Sequence, residues 1–82
     1  MTTDDMKPEM SKILQKMFKN HKGEMNIKQM EEMLKLEAQP TLYYAEELHK
    51  KGFIYPSSMD ANGQIYCLTP EGRAYVMEKL SK

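Results

Sequence analysis

Leu48-His49-Lys50-Lys51-Gly52-Phe53-Ile54-Tyr55, and then, beyond a polar stretch, Ile65-Tyr66-Cys67-Leu68-Thr69-Pro70-Glu71-Gly72-Arg73, are the residues whose reading decides the fold. The first run carries a helix end, because Gly52 closes a last turn in the left-handed region at no steric cost. Phe53-Ile54-Tyr55 and Ile65-Tyr66-Cys67-Leu68 have the β-branched and aromatic content of short strands. Ser57, Ser58, Asp60, Asn62 and Gly63 lie between them, and Asn62-Gly63 supplies the positive backbone angles a hairpin turn needs. Pro56 has no N–H to give to a ladder, so it marks an edge or a bulge. Thr69 caps a new helix, with Pro70 at its first position and Glu71 against its positive end. The order is helix, hairpin, helix: an α+β unit whose apolar faces need a second helix pair, which Lys7 to Ala38 supplies.

Working outward, the last helix is predicted from Pro70 to about Leu80. Ala74, Met77 and Leu80 face the core in this reading, Tyr75 and Val76 stay partly free, and Gly72 lets the helix approach the sheet. Upstream, the third helix spans Pro40 to Lys51, with residues 36–39 as the turn before it, since a proline disfavours helical geometry in the residue it follows. Thr41, Tyr44, Ala45 and Leu48 share one side of that helix; Leu42, Tyr43, Glu46, Glu47 and Lys50 fall mainly on the other. Asn26 and Gln29 form a variant of the capping box that opens the second helix, whose buried stripe is Ile27, Met30, Met33 and Leu34. Glu24-Met25 is long enough only for a minimal third strand.

The first helix shows the clearest periodicity. Met6, Met10, Ile13, Leu14, Met17, Phe18 and His21 recur at intervals of three and four, with Asp5 as cap and a stop near Lys22-Gly23. Lys12, Lys16 and Lys19 lie elsewhere on the cylinder. The simplest role for such a stripe is a solvated face; phosphate contact is the sharper one.

Eighty-two residues suit one domain, with residues 1–5 as a flexible N-terminus and 6–82 folded. A chain this short buries only about 60–65% of its unfolded surface, which leaves no room for a large enclosed active site. One cysteine, Cys67, excludes an internal disulfide. Together with the lack of a long apolar run, this points to the cytoplasm and away from a membrane. Twelve basic and twelve acidic residues cancel. The one basic concentration is Asp5 to Lys22, where five lysines face two carboxylates. Arg73 is the sole arginine, so the side chain best suited to forking onto guanine is nearly missing. No Gly-rich phosphate loop, nucleophile-base pair or metal-ligand spacing is present, so neither an enzyme nor a cofactor or metal site is expected. Cys67, in a strand with Ile65 and Leu68, reads as a packed thiol.

Leu48-x-x-x-Gly52-Phe53-Ile54, followed by Tyr66-x-Leu68-Thr69-x-x-Gly72-Arg73-x-Tyr75, resembles bacterial winged helix-turn-helix regulators of the MarR and PadR kind over about Met10 to Leu80. The resemblance implies a three-helix core, a β-hairpin wing and a C-terminal helix, often as a homodimer on operator DNA. The expected function is then a small DNA-binding transcriptional regulator, with helix 40–51 as recognition helix and hairpin 53–68 as wing. Thr41, Tyr43, Tyr44 and Lys50 would contact double-stranded DNA, and Lys28 would grip its backbone. The chain departs from the family pattern in having no arginine in the recognition helix or wing and no long extra helix for a dimer interface. A competing expectation is an interaction or dimerisation module that does not bind DNA and meets a protein partner or a second copy through Met6, Tyr43, Tyr75 and Val76.

Overall fold

The computed structural model describes residues 6–20, 22–61 and 63–80. In chain order these form α1 (Pro8–Lys19), β1 (Glu24–Asn26), α2 (Ile27–Leu34), α3 (Ala38–Lys50), β2 (Ile54–Asp60), β3 (Gly63–Leu68) and α4 (Pro70–Tyr75), which runs on as a π-helical turn over Val76–Leu80. The strands make one antiparallel sheet in the order β1-β3-β2. The predicted α+β winged helix-turn-helix is the observed architecture, with β1 as the minimal third strand.

Met10, Ile13, Leu14 and Met17 turn one face of α1 into the core, where they meet Met30 of α2, Ala45 and Leu48 of α3, Met25, Ile54, Tyr66 and Leu68 of the sheet, and Val76. Lys12, Lys16 and Lys19 are exposed. Lys7 is the cap position of α1 and Pro8 its first residue. The predicted cap Asp5, the rest of residues 1–5, and the predicted helix-end and turn residues His21 and Asn62 all lie outside the described residues.

Local chemistry sets most element ends. Asn26 Oδ1 accepts from the Gln29 N–H at 2.7 Å while Gln29 Oε1 accepts from the Asn26 N–H at 3.0 Å, completing the capping box of α2. At the end of α3 the Phe53 N–H bonds back to the Leu48 carbonyl and the Gly52 N–H to that of His49, with Gly52 at φ 82. This paired arrangement satisfies carbonyls that a helix end leaves open. The third helix begins at Ala38, two residues before the predicted Pro40. The first turn of a helix has no internal N–H partners to lose, so Pro40 sits in it without cost. The turn between helices contracts to residues 35–37, with Lys35 left-handed at φ 59.

The hairpin is longer than its apolar runs suggest. β2 continues through Pro56, Ser57, Ser58 and Met59 to Asp60, which pairs with Gly63. Pro56 faces Tyr66 and Ser58 faces Ile65, so Ser57 is extra: the bulge that Pro56 announces.

The last helix differs from expectation in its phase. Gly72 lies so close to the Phe53 carbonyl that a Cβ there would collide with its oxygen and with Leu68. That contact fixes which side of α4 meets the sheet. Val76, one turn on, is therefore buried, not partly free, and Ala74 and Met77, expected in the core, are exposed. Leu80 is half-buried, and its carbonyl accepts from Gln15 Nε2 at 3.1 Å, tying the last described turn to α1. Arg73 extends over Gly23, its guanidinium 2.8 Å from where a Cβ on that glycine would stand.

Two stability predictions follow from this packing. Gly72→Ala should cost about 3 kcal/mol, the upper end for forcing atoms into a packed site. Gly52→Ala, which meets nothing within 4 Å, should cost only the left-handed strain of about 1–2 kcal/mol; urea denaturation giving the reverse order would contradict the close approach as the reason for Gly72. Burial, with the Glu46 carboxylate adding to it, raises the Tyr66 phenol above its ordinary value of 10.0. The folded chain thus holds that proton more tightly than the unfolded one. Stability should be intact below pH 10.0 and should fall as pH rises through the elevated value. Tyr66→Phe should flatten that part of a pH series of urea melts.

Candidate nucleic-acid interface

The two sides of α3 have opposite fates. Thr41, Ala45 and Leu48 are fully buried, whereas Gln39, Leu42, Tyr43, Glu46, His49 and Lys50 are exposed. A period of 3.6 residues sets Gln39, Tyr43, Glu46 and Lys50 in one row, with Leu42 beside it. Gln39, Leu42, Tyr43 and Glu46 wall a shallow depression of about 200 Å³. Tyr43 is 53% exposed, and its ring meets that of Tyr44 edge to face, 5.5 Å between centroids. The contact restrains a large flat side chain without covering it. Lys50 Nζ lies 3.7 Å from Glu47 Oε2, an exposed pair worth at most about 1 kcal/mol and easily exchanged for another partner.

Of the residues expected to contact DNA, Tyr43 and Lys50 stand on this exposed row and Lys28 is exposed in the first turn of α2. Thr41 does not: it is fully buried, and its hydroxyl donates to the Glu37 carbonyl at 2.8 Å. Its place one turn before Ala45 and two before Leu48 commits it to the core. Tyr44 is half-buried and packs against the core, so it supports Tyr43 from behind. Gln39 has no place in the expected contact set, because residues 36–39 read as a turn. With α3 begun at Ala38, it stands one helical turn before Tyr43. The signal was available in the tolerance of a first helical turn for proline.

The residues of the competing interaction surface are largely occupied within the chain. Val76 is fully buried, Met6 is half-buried against the core, and Tyr75 stacks on Phe53 at 4.8 Å between centroids. Tyr43 alone of the four is exposed. The strands hold Glu24, Cys67 and Tyr55 in one cross-strand row. The Cys67 thiol points at Glu24 Oε2, 3.8 Å away, and its hydrogen bond with Tyr55 is the chief cause that raises that phenol above its ordinary value. The thiol is half-buried on the sheet's outer row, outside the apolar core in which its strand position suggested it would pack, because Tyr66 and Leu68 are the residues of β3 that turn inward. An open groove of about 370 Å³ separates α1 from α2, lined by Lys16, Asn20, Met25, Gln29, Glu32 and Met33. Among the described residues no group of three or more His, Cys, Asp or Glu is arranged to hold a metal, and no helix is long and apolar enough to cross a membrane.

Comparison with protein-family models gives no match, and comparison with curated proteins gives none either. Solved structures do match. MepR, a transcription regulator of the Staphylococcus aureus multidrug efflux pump MepA, superposes with a TM-score of 0.78 at 16% identity over 89% of this chain and 54% of its own. NMB1585, a MarR family regulator from Neisseria meningitidis, gives 0.70 at 21% identity over 89% and 51%. A probable transcriptional regulator from Pseudomonas aeruginosa gives 0.75 at 21% identity over 90% and 56%. The chain spans about half the length of each. Backbone agreement at this level across helices, sheet and hairpin leaves one conclusion: the chain has the winged-helix fold of MarR-type transcription regulators.

Proposed function

We propose that this chain is the DNA-reading part of a transcriptional regulator, with the exposed row of α3 entering the major groove and the β2–β3 hairpin flanking it as a wing. The observation that carries this reading is the division of α3: its inner face is sealed into the core while a continuous outer face of Gln39, Leu42, Tyr43, Glu46 and Lys50 is left to solvent. A helix held rigidly by one side and bare along the other is what insertion into a groove requires. The fold shared with transcription regulators supports the same reading. So does Lys28, exposed in the first turn of α2, where a cation can meet phosphate. On an operator with two-fold symmetry, two copies would each read one half-site.

Neutral net charge sets the expected strength. With few cations on the contact side, affinity should be modest and most visible at low salt. A fluorescently labelled duplex titrated with the chain should show saturable binding that weakens as salt rises, with a shallow slope set by its few phosphate contacts. Lys50→Ala and Lys28→Ala should each reduce the slope of log affinity against log salt by about one. Tyr43→Ala should weaken binding while costing no more than about 1.5 kcal/mol of stability, the loss of its edge-to-face contact with Tyr44. Leu48→Ala, five residues on and on the buried side, should cost about 2–5 kcal/mol of stability. Absence of binding at the lowest salt the protein tolerates would remove the reading.

A further inference from the structure

We infer, resting on the DNA-binding reading, that the outer face of α3 selects adenine, cytosine and thymine edges and passes over guanine, with Gln39 reading adenine, Glu46 reading cytosine and Leu42 with Tyr43 resting on a thymine methyl. The depression walled by Gln39, Leu42, Tyr43 and Glu46 brings these chemistries together in the part of the helix that meets base edges. A Gln amide offers one donor and one acceptor, which match the adenine N7 acceptor and N6 donor. The Glu46 carboxylate only accepts, so it is repelled by phosphate oxygens and by both guanine acceptors, and it is satisfied in the groove by the cytosine amino group. Glu47 already faces Lys50, leaving Glu46 as the carboxylate of the depression.

The groups that would fork onto guanine stand elsewhere. Arg73 is on α4, over Gly23, and Lys50 is the last residue of α3, placed for phosphate. Seven residues separate Gln39 from Glu46, about 10.5 Å along the axis, or roughly three base-pair steps. The selected element is therefore an adenine and a cytosine about three steps apart with thymine between them.

The test uses the full chain. Duplexes are selected from a randomised pool at low salt and sequenced, and the preferred duplex is remade with single-base analogues for anisotropy titration. Replacing the key adenine by 7-deazaadenine, or the key cytosine by N4-methylcytosine, should each weaken binding about 5- to 150-fold; uracil for thymine should cost less. Gln39→Ala should lose sensitivity to 7-deazaadenine and keep that to N4-methylcytosine. Glu46→Ala should do the reverse and bind random duplex more tightly, because both the acceptor and the phosphate-repelling charge are gone. Both residues are exposed, and unchanged thermal melting confirms that the variants fold. Binding without base preference, a preferred element read through guanine, or variants that keep the wild-type analogue profile would each overturn this inference and leave DNA binding standing. No binding to any duplex would overturn both.

Discussion

Everything in this chain hangs on the junction where residues 52–53 meet residues 69–72. The Phe53 carbonyl accepts from the Thr69 N–H at 2.9 Å, the Thr69 hydroxyl donates to the Gly52 carbonyl at 2.6 Å, and the same hydroxyl oxygen accepts from the Gly72 N–H at 2.9 Å. One threonine thus caps α4 and fastens it to the end of α3. Four element ends are joined there: the last turn of α3, the start of β2, the end of β3 and the start of α4. The absent side chain of Gly72 lets the backbones come this close. The consequence reaches the outer face of α3, because a helix pinned at its C-terminus and buried along Thr41, Ala45 and Leu48 presents its remaining side in one orientation.

Features that rest on chemistry between near neighbours were legible in the sequence. The Asn26–Gln29 box, the Thr69 cap, the Gly52 helix end and the irregularity at Pro56 each need only residues within a few positions of one another, and each stands where it was expected. What escaped depends on contacts between distant segments. The phase of α4 is set by Phe53 pressing on Gly72, so the weak periodicity of residues 74–80 points to Met77 when Val76 is the core residue. The onset of α3 depends on a proline lying inside a first turn, which sequence alone reads equally well as a boundary.

The candidate site divides along the same line. Tyr43 and Lys50 are recognisable because helical spacing alone keeps them off the apolar stripe. Thr41 attracts attention as a polar residue near the start of a recognition helix, yet its spacing to Ala45 and Leu48 outranks its chemistry. Its hydroxyl is accommodated in the core because the Glu37 carbonyl, which takes the Thr41 N–H at 3.2 Å, has a second lone pair to accept it. Gln39 shows the opposite case, a residue whose standing depends wholly on where the helix begins. Net charge and local charge are likewise separate matters here: zero net charge gives the chain no overall attraction to a polyanion, so any contact with one rests on where individual lysines stand.

The irregularity at Ser57 reaches beyond the hairpin that contains it. β2 lies at the margin of the sheet, and nearly all of it is exposed. A straight margin of that length would be a template on which another chain could extend the sheet. Pro56 withholds a donor from any such newcomer, and the extra residue beside it bends the strand out of the flat, evenly spaced arrangement that stacking demands. The hairpin can therefore project into solvent beside the helix it accompanies without inviting the protein to polymerise.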